Sequence, residues 1–597
     1  MANPEVELPQ NQFEKAEYHP EITHSGHHTP SKSEQNSIHW TSESNDDEAE
    51  KPIVYHYLTF STDLPCPATI YPPHPNASPP PPPPNLTKFQ DPFTWSTNKK
   101  RYIIWLSCVA TALTAFTAGS YSPGISQMEE EWHVSDIAIL VGITTFTTGF
   151  GIAPMVLAPF SEINGRKPVF IATGILFVVC QLCCGLTRSY AGLLVARFFV
   201  GVGGSTFSTM VGGVVSDIYV AADRNTPMAL FSAAALVGTG MGPLICGFIA
   251  QNVNWRWIFY VQTIADAVIV ALIAVCFQET RGSILLSRKA QRLNKWYEER
   301  ENAGYYGMNM PSSTAPSSSA ITTPEKQTSS HPQRIRWKVR SDEDRTTLLH
   351  MISISLYRPF HLLLTEPTVF FFSLWISFSW AVLYLTLAAV PLVFSSVYSF
   401  TIAQSGAVFA SVIIGAILFA AVSIYQEKLA RHYLFDASGK WTSKSKLFGR
   451  TVTLDLNAPE ARLYFTCLES LLMPLGLFLF GWSTNSATAP LHWITPCIAL
   501  ALATMGIFSI YLAVFNYLAD AYTRYASSAL AAQSFCRNML GGVFPLVTQQ
   551  MYRGLGNGGA SSLLGALGLG LTVVPWVLVG WGERIRGRSR FARESVE

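Results

Sequence analysis

Twelve long apolar runs alternate with polar connections along this chain, and they fall six and six around a polar interval at residues 278–366. A spanning helix needs about 20 mostly apolar residues to cross roughly 30 Å of hydrocarbon. In the first half the runs that meet this are Tyr102–Tyr121, Ile137–Ala158, Val169–Leu186, Tyr190–Val215, Met228–Ile249 and Trp257–Phe277. In the second they are Thr368–Phe394, Thr401–Ser423, Tyr464–Phe480, Trp493–Leu518, Ala526–Val547 and Leu563–Gly582. The pattern predicts an all-α integral membrane protein with twelve transmembrane helices, built as two similar halves, residues 99–277 and 367–583.

The polar segments make up the remainder. Residues 1–98 are rich in His, Ser, Glu and Pro, with a proline run at Pro79–Pro84. Such a segment buries too little apolar surface to offset its ordering entropy, so a disordered cytosolic tail is expected. The proline run reads as an extended linker, with a ligand for an SH3-type domain as the alternative. His24, His27 and His28 read as a solvated cluster rather than a metal site. Residues 278–366 are expected to be a cytosolic central loop. It opens with a basic, helix-like stretch, Leu285–Glu299, and continues as a Ser/Thr/Pro-rich linker, Pro311–Ser330, that joins the halves without imposing geometry. The connection Gln426–Arg462 is polar and is assigned no fold, and residues 584–597 form a basic tail.

Charge sets the orientation. With the N-terminus inside, the inner connections hold Arg166, Lys167, Arg224, Arg281, Arg288, Lys289, Arg292, Lys295, Lys428, Arg431, Arg524 and five arginines of the C-terminal tail. The outer connections hold Arg188, Arg256 and Arg553. This asymmetry places both tails in the cytosol. The acceptor patterns at Asn76 and Asn85 then never meet the glycosylation machinery. No apolar stretch of signal-peptide type occurs in the first hundred residues, so insertion is expected to begin at the first span. Charged residues are 13% of the chain and crowd into the connections, while the net charge of +2 gives no reason to expect nucleic-acid binding. Cys180, Cys183 and Cys184 are spaced like a metal or redox motif, but within an unbroken apolar run they read as small packing residues. No metal or cofactor is called for, and an enzyme is disfavoured because no His/Asp or His/Cys constellation sits inside the spans.

The connection between the second and third spans reads Ala158-Pro-Phe-Ser-Glu162-Ile-Asn-Gly165-Arg166-Lys167-Pro168. Gly165 permits the turn and Pro168 suits the first turn of the next helix. The fourth span carries Arg197-Phe-Phe-Val-Gly201, and the fifth carries Gly238, Gly242-Pro243 and Gly247. Trp255-Arg256-Trp257 opens the sixth span, and Glu279-Thr280 follows it. Later come Asp520-Ala-Tyr522, Arg537 and Pro545 with Gln550-Met-Tyr552. In this order, from Lys99 to Arg586, these segments resemble the major facilitator superfamily, and in particular its fungal drug:proton antiporter branch with twelve spans. The resemblance implies the major facilitator fold: two six-helix bundles around a midplane cavity, with alternating access by rocking. The chain departs from the family pattern at Glu162-Ile163, where Asp-Arg is usual, at Ala158, and at Cys246. It also has Ala388 where the branch often has a Glu before the position of Pro391, which argues against cationic substrates.

Candidate site residues follow. Arg197 and Arg537 are charges within spans, and such residues usually face a bundle interior or wet cavity. For Arg197 the alternative is a carbonyl partner or a snorkelling side chain. Asp266 is the lone carboxylate deep in a span, either a proton-titrating group or an acid held by neighbouring hydroxyls. Gly238, Gly242 and Gly247 are read as one stripe that lets the fifth helix approach a neighbour, with Pro243 as a bend. By the resemblance this helix seals the interface of the halves against proton leak, although packing alone explains the glycines equally well. The resemblance also implies a conformational latch at Glu162, Gly165, Arg166 and Lys167. In it Glu162 meets the N-terminus of the eleventh span near Ser527, with Asp217 and Arg166 as partners. Aromatic and hydroxyl positions, among them Tyr121, Phe370, Trp375, Trp380, Tyr384, Tyr511 and Asn516, mark a cavity suited to an amphipathic small organic molecule.

The expected function is secondary active transport: proton-coupled export of a small organic compound, a drug or fungal secondary metabolite, by a monomer in the plasma membrane. A facilitator or uptake symporter is the alternative, followed by a membrane sensor that signals through its long tail and central loop.

Overall fold

Local sequence sets most helix ends. Ser135 caps the second span through a bond from the Ala138 N–H, and Ser189 caps the fourth through Gly192. Pro367 opens the seventh span at its first turn, where the missing N–H costs no hydrogen bond. Thr401 and Gln404 form a reciprocal capping box ahead of the eighth.

The structure, a computed structural model, describes residues 52–68, 79–220, 223–310, 333–343, 348–433, 440–447, 450–455, 458–485 and 490–593. The first half comprises α1 (Thr97–Gly119), α2 (Asp136–Asn164), α3 (Arg166–Leu186), α4 (Tyr190–Thr209), α5 (Asn225–Asn252) and α6 (Arg256–Cys276). Between the halves lie α7 (Gly282–Asn302) and α8 (Leu348–Thr365). The second half comprises α9 (Pro367–Tyr398), α10 (Ala410–Tyr433), α11 (Leu472–Ser483), α12 (Ile494–Ala521), α13 (Ala526–Leu571) and α14 (Val573–Arg588).

Among the described residues, eleven helical stretches are long and apolar enough to cross a membrane, against twelve runs in the sequence. The difference lies in the last stretch, 63 residues from Ala526 to Arg588. Gly556 breaks it with φ 72° and ψ 167°, a backbone that glycine adopts without strain. Beyond Gly556 the chain runs back, so that the rings of Tyr525 and Phe591 lie 5.2 Å apart. The eleventh and twelfth apolar runs are therefore two spans joined at a single glycine.

The packing repeats between halves. In the first, α1 packs on α5, α2 on α4, and α3 on both α4 and α6. In the second, α9 packs on α13, α10 on α12, and α11 on both α12 and the returning part of α13. Adding six to each span number of the first set yields the second. Across the seam α2 meets α13 and α5 meets α10, two contacts that the same operation exchanges. Two bundles related in this way are the architecture that rocking transport requires.

Both tails and the interval between the halves lie on one side, the tail side. There the expectation of a disordered N-terminal tail is corrected for residues 52–68 and 79–96; residues 1–51, with the three histidines, and Asn76 lie outside the described residues. Strand β1 (Val54–Tyr57) pairs in parallel with β4 (Ile335–Lys338), and β2 (Cys66–Pro67) pairs antiparallel with β3 (Met308–Asn309). Leu58, Leu293, Trp296, Tyr297, Ile335 and Trp337 share a small core against α7. The Trp296 indole donates to the Pro81 carbonyl at 3.0 Å, so the proline run docks on its own chain. Composition alone missed this because the apolar partners lie some 240 residues away, on α7 and β4. The interval is likewise more than a linker, since α8 packs on both α2 and α13. The Ser/Thr/Pro-rich stretch 311–330 lies outside the described residues. Residues 440–447 and 450–455, to which the sequence assigns no fold, form a hairpin, β5 and β6.

Glu301 at the end of α7 clamps this subdomain. It accepts from Arg334 at 3.0 Å and from Arg336 at 2.7 Å. Burial pushes the Glu301 carboxyl up, but the two arginines outweigh it and hold it below its usual value of 4.5. A lowered value means the clamp is fully formed above the ordinary carboxylate range and is lost only as pH falls through the lowered one. Glu301→Gln is expected to speed proteolytic cleavage within residues 52–68 about fivefold at neutral pH. That corresponds to ~1 kcal/mol after allowance for screening. An unchanged cleavage rate would show that the hydrophobic core alone docks the segment.

Candidate functional site

Two guanidinium groups occupy the middle of the molecule. Arg197 on α4 is fully buried. Its Nε donates to the Gly142 carbonyl at 3.2 Å and Nη1 to the Thr117 carbonyl at 3.4 Å. The group lies over the rings of Tyr121 and Phe146, 4.5 and 4.9 Å from their centroids. Arg537 on α13 lies over Trp380 at 4.5 Å and Tyr511 at 5.0 Å. Tyr384 lies within electrostatic reach of both arginines, which brings the two charges to one region from opposite halves. Among the described residues Nη2 of Arg197 and Nε and Nη1 of Arg537 have no hydrogen-bond partner. Buried donors without acceptors are costly. Their presence here, beside aromatic faces, marks a place where a ligand or water supplies the acceptors.

The aromatic residues sort by helical phase. Trp380 and Tyr384 are four apart and share the face of α9 that meets Arg537. Trp375 lies half a turn away, packed on Phe372 in the core of the second bundle. Phe370 is exposed on the outer surface. Asn516 lines a separate cavity of about 460 Å³ on the tail side, with Arg224, Arg462, Glu469 and Asp520. Of the seven residues expected to line one cavity, Tyr121, Trp380, Tyr384 and Tyr511 gather around the two arginines. The role of Phe146 as the second ring under Arg197 went unread, since nothing in the sequence separates it from the neighbouring apolar residues.

Asp266 also differs from expectation. It is buried on α6, which packs on α1, α3 and α5, all in the first half, so it sits inside a bundle rather than at the seam. Among the described residues neither of its carboxyl oxygens has a hydrogen-bond partner. The alternative of an acid held by hydroxyls is not what the structure contains.

The predicted latch becomes a charge cluster at the tail side of the first half. Gly165 turns the chain with φ 98°, and its Cα faces the Glu279 carboxylate so closely that a Cβ would collide. Glu279 Oε1 accepts from the Arg166 N–H at 2.9 Å and Oε2 from the Lys167 N–H at 3.2 Å, capping the N-terminus of α3. Arg166 pairs with Asp217 at 3.3 Å, and Arg281 pairs with the same carboxylate at 3.2 Å. These ion pairs stay within one half. Glu162 lies within electrostatic reach of Arg281, which adds a further acid to this cluster. The sequence assigns Glu279 no role; its position just past the sixth span is the signal that places it here.

The three glycines of α5 do not form one stripe. A Cβ on Gly238 would strike the Ala112 carbonyl, and one on Gly242 would lie 2.6 Å from the Gly119 carbonyl carbon, both on α1. Gly247 instead faces the Ile402 carbonyl at 3.1 Å, across the seam. Nine residues from Gly238 is 2.5 turns, which puts Gly247 on the opposite face. Pro243 contributes to both contacts: its ring lies by Gly119 and its carbonyl by Gly406.

Contacts close the seam at both ends. On the side opposite the tails, Gln549 donates to Asp136 at 2.9 Å and Ser122 to the Leu387 carbonyl at 2.5 Å. Toward the tail side Phe515 of the second half packs on Gly212 and Phe231. The central residues are buried between these closures.

A fold of two pseudo-symmetric six-helix bundles enclosing buried charges at the seam defines a secondary transporter. The family model described as Major Facilitator Superfamily matches residues 107–545, and the chain belongs to that family. It is similar to an efflux pump, atB of Aspergillus terreus, with 34% identity over 76% of this chain and 85% of that one. The multidrug transporter FLR1 of Candida glabrata is 29% identical over 84% of this chain and 82% of its own. Among solved structures, the proton:xylose symporter XylE superposes with a TM-score of 0.54, at 12% identity, over 81% of this chain and 97% of that one, which supports the fold.

Arg166→Ala is expected to shift the distance distribution between labels on the tail-side ends of the two halves, with Glu162→Gln giving a smaller shift. A coupling of about 1–3 kcal/mol is typical of such switches. Weakened substrate binding with unchanged distances would make the cluster part of the binding site instead of a lock.

Proposed function

We propose that this protein exports small organic compounds from the cytosol in exchange for protons, acting as a monomer in the plasma membrane with both tails cytosolic. The observation that carries the reading is the pair of buried guanidinium groups, Arg197 and Arg537, stacked on aromatic rings at the seam with unsatisfied donors. Flat apolar rings suit an amphipathic ligand, and free N–H groups suit its carbonyl, phenolate or carboxylate oxygens. Both charges in this wall are cations, so neutral or acidic compounds fit better than amines. The names of the related proteins, an efflux pump and a multidrug transporter, support export. Lys and Arg crowding on the tail side supports a cytosolic tail side.

Asp266 supplies the proton site in this reading. An unpaired carboxylate is very costly at so deeply buried a position, whereas the protonated acid is tolerated. Comparing metabolites between deletion and overexpression strains identifies the transported compound. In vesicles supplied with that compound, Asp266→Asn is expected to lower accumulation driven by a proton gradient at least tenfold. Exchange of labelled for unlabelled compound without a gradient should persist. A mutant that accumulates normally and keeps the wild-type pH profile would remove Asp266 from coupling.

A further inference from the structure

Asp266 stands away from the seam, so a proton carried by it needs a path. A chain of polar groups inside the first bundle starts one helical turn away. Gln262 shares a face of α6 with Asp266, four residues on. The Gln262 side-chain carbonyl accepts from the Gln181 amide of α3 at 2.5 Å and from Ser120 at 3.3 Å. Its own amide donates to the hydroxyl of Thr117 on α1. The carbonyl of the same Thr117 accepts from Arg197. Gln181, Gln262, Thr117, Ser120, Asp266 and Arg197 are all essentially inaccessible.

Both ends of this chain and its branch carry polar atoms without partners among the described residues: the two Asp266 oxygens, the Gln181 side-chain oxygen and Nη2 of Arg197. Side chains with no role beyond filling space would be cheaper as leucines here. Orphaned donors and acceptors clustered in one buried region are the setting in which proteins hold internal water.

We propose that Gln262 and Gln181 are positioning residues that hold a water-filled proton relay between Asp266 and Arg197, linking the buried acid to the arginine pair at the seam. This rests on the reading of Asp266 as the proton carrier. The amides hold the waters and do not themselves exchange protons. In the outward step a proton leaves the Asp266 carboxyl for a water, each water passes one on, and the last releases one beside Arg197. Asp266 is left as the carboxylate, each relay water breaks one O–H bond as it forms another, and the proton ends on the water beside Arg197. The return step reverses this after the halves have rocked, so one path serves both sides of the membrane. The helices packed on α6 bring no charge to mid-depth. Lys99, Lys100 and Arg101 of α1 and Arg166 and Lys167 of α3 lie at the tail-side ends, and α5 carries none. Their other titratable groups are Tyr102 and Cys108 of α1, Cys180, Cys183 and Cys184 of α3, and Cys246 of α5. The guanidinium of Arg197 is thus the charge to which the chain leads.

Infrared spectroscopy of the full-length protein in lipid nanodiscs tests this with no substrate, using transfer to D₂O as the probe. Wild type should show a protonated carboxyl band that Asp266→Asn removes, and the band should shift rapidly on transfer. Gln262→Leu and Gln181→Leu should slow that shift at least tenfold. Thr117→Val, which keeps the volume and removes the hydroxyl beneath Gln262, should do the same and guards against loss of fold in the leucine variants. If the band depends on Asp266 but shifts at the wild-type rate in Gln262→Leu and Thr117→Val, the relay is wrong while the proton-carrier reading stands. If Asp266→Asn leaves the band in place, that carboxyl is not the protonated group and both ideas fall.

Discussion

Replacing Arg197 by alanine is expected to abolish transport while leaving the protein as stable as wild type or more so. The guanidinium is fully buried, and its two hydrogen bonds go to backbone carbonyls. Taking an unpaired charge out of water costs several kcal/mol after relaxation, and two carbonyls with two aromatic faces return only part of it. A residue kept for packing would lower stability when removed. A residue kept for function, whose charge the fold merely tolerates, would not. Transport should fall at least tenfold, about 1.4 kcal/mol in the barrier. Arg197→Lys should not rescue it, because a single ammonium cannot stack between Tyr121 and Phe146 and also reach carbonyls on two helices. Thermal unfolding in detergent and flux in vesicles, measured on the same preparation, decide the matter. Full flux in the alanine variant, or a melting temperature lowered in proportion to the lost flux, would return Arg197 to the packing class.

The second large effect is expected at Gly238. Its Cα presses on the backbone of Ala112, and an added methyl would meet a carbonyl that no rotamer change can move. Gly238→Ala must therefore push α5 off α1 along one of the tightest backbone contacts of the first bundle. Overpacking costs typically about 1–3 kcal/mol, and rigid backbone on both sides favours the upper end. The variant should lose surface expression and monodispersity. Gly554→Ala is the control, since nothing lies within 4 Å of a Cβ there. Gly247→Ala, on the opposite face of the same helix, meets the Ile402 carbonyl of the other half at 3.1 Å. It should fold and instead change how readily the halves separate. Equal loss of expression at Gly238 and Gly247 would mean that α5 tolerates no distinction between its two faces.

These predictions separate what the chain states locally from what assembly adds. Span lengths, the two-half organisation and the charge asymmetry are local properties of composition and period, and they are readable without coordinates because a bilayer demands long, internally bonded apolar helices. Arg197, Arg537 and Asp266 were also visible, since a charge in an apolar run stands out whatever surrounds it. Partnerships were not visible. That Arg537 meets Trp380 while Trp375, five residues before, turns into the bundle core depends on helical phase relative to a seam that only packing defines. That Gly247 opposes Gly238 follows from counting turns, but which helix each one touches does not. The charge cluster shows the same division. Its arginine and glycine were evident from the turn they make, whereas Glu279 enters only because the sixth span returns its end beside the start of the third. The docked proline run is the extreme case: Pro81 and Trp296 are separated by 215 positions and joined by one hydrogen bond. Sequence by itself determined that this chain crosses a membrane as two matched bundles with charges inside them. Only the tertiary structure decided which of those charges face the seam and which lie within a bundle, because that depends on contacts between residues far apart in the chain.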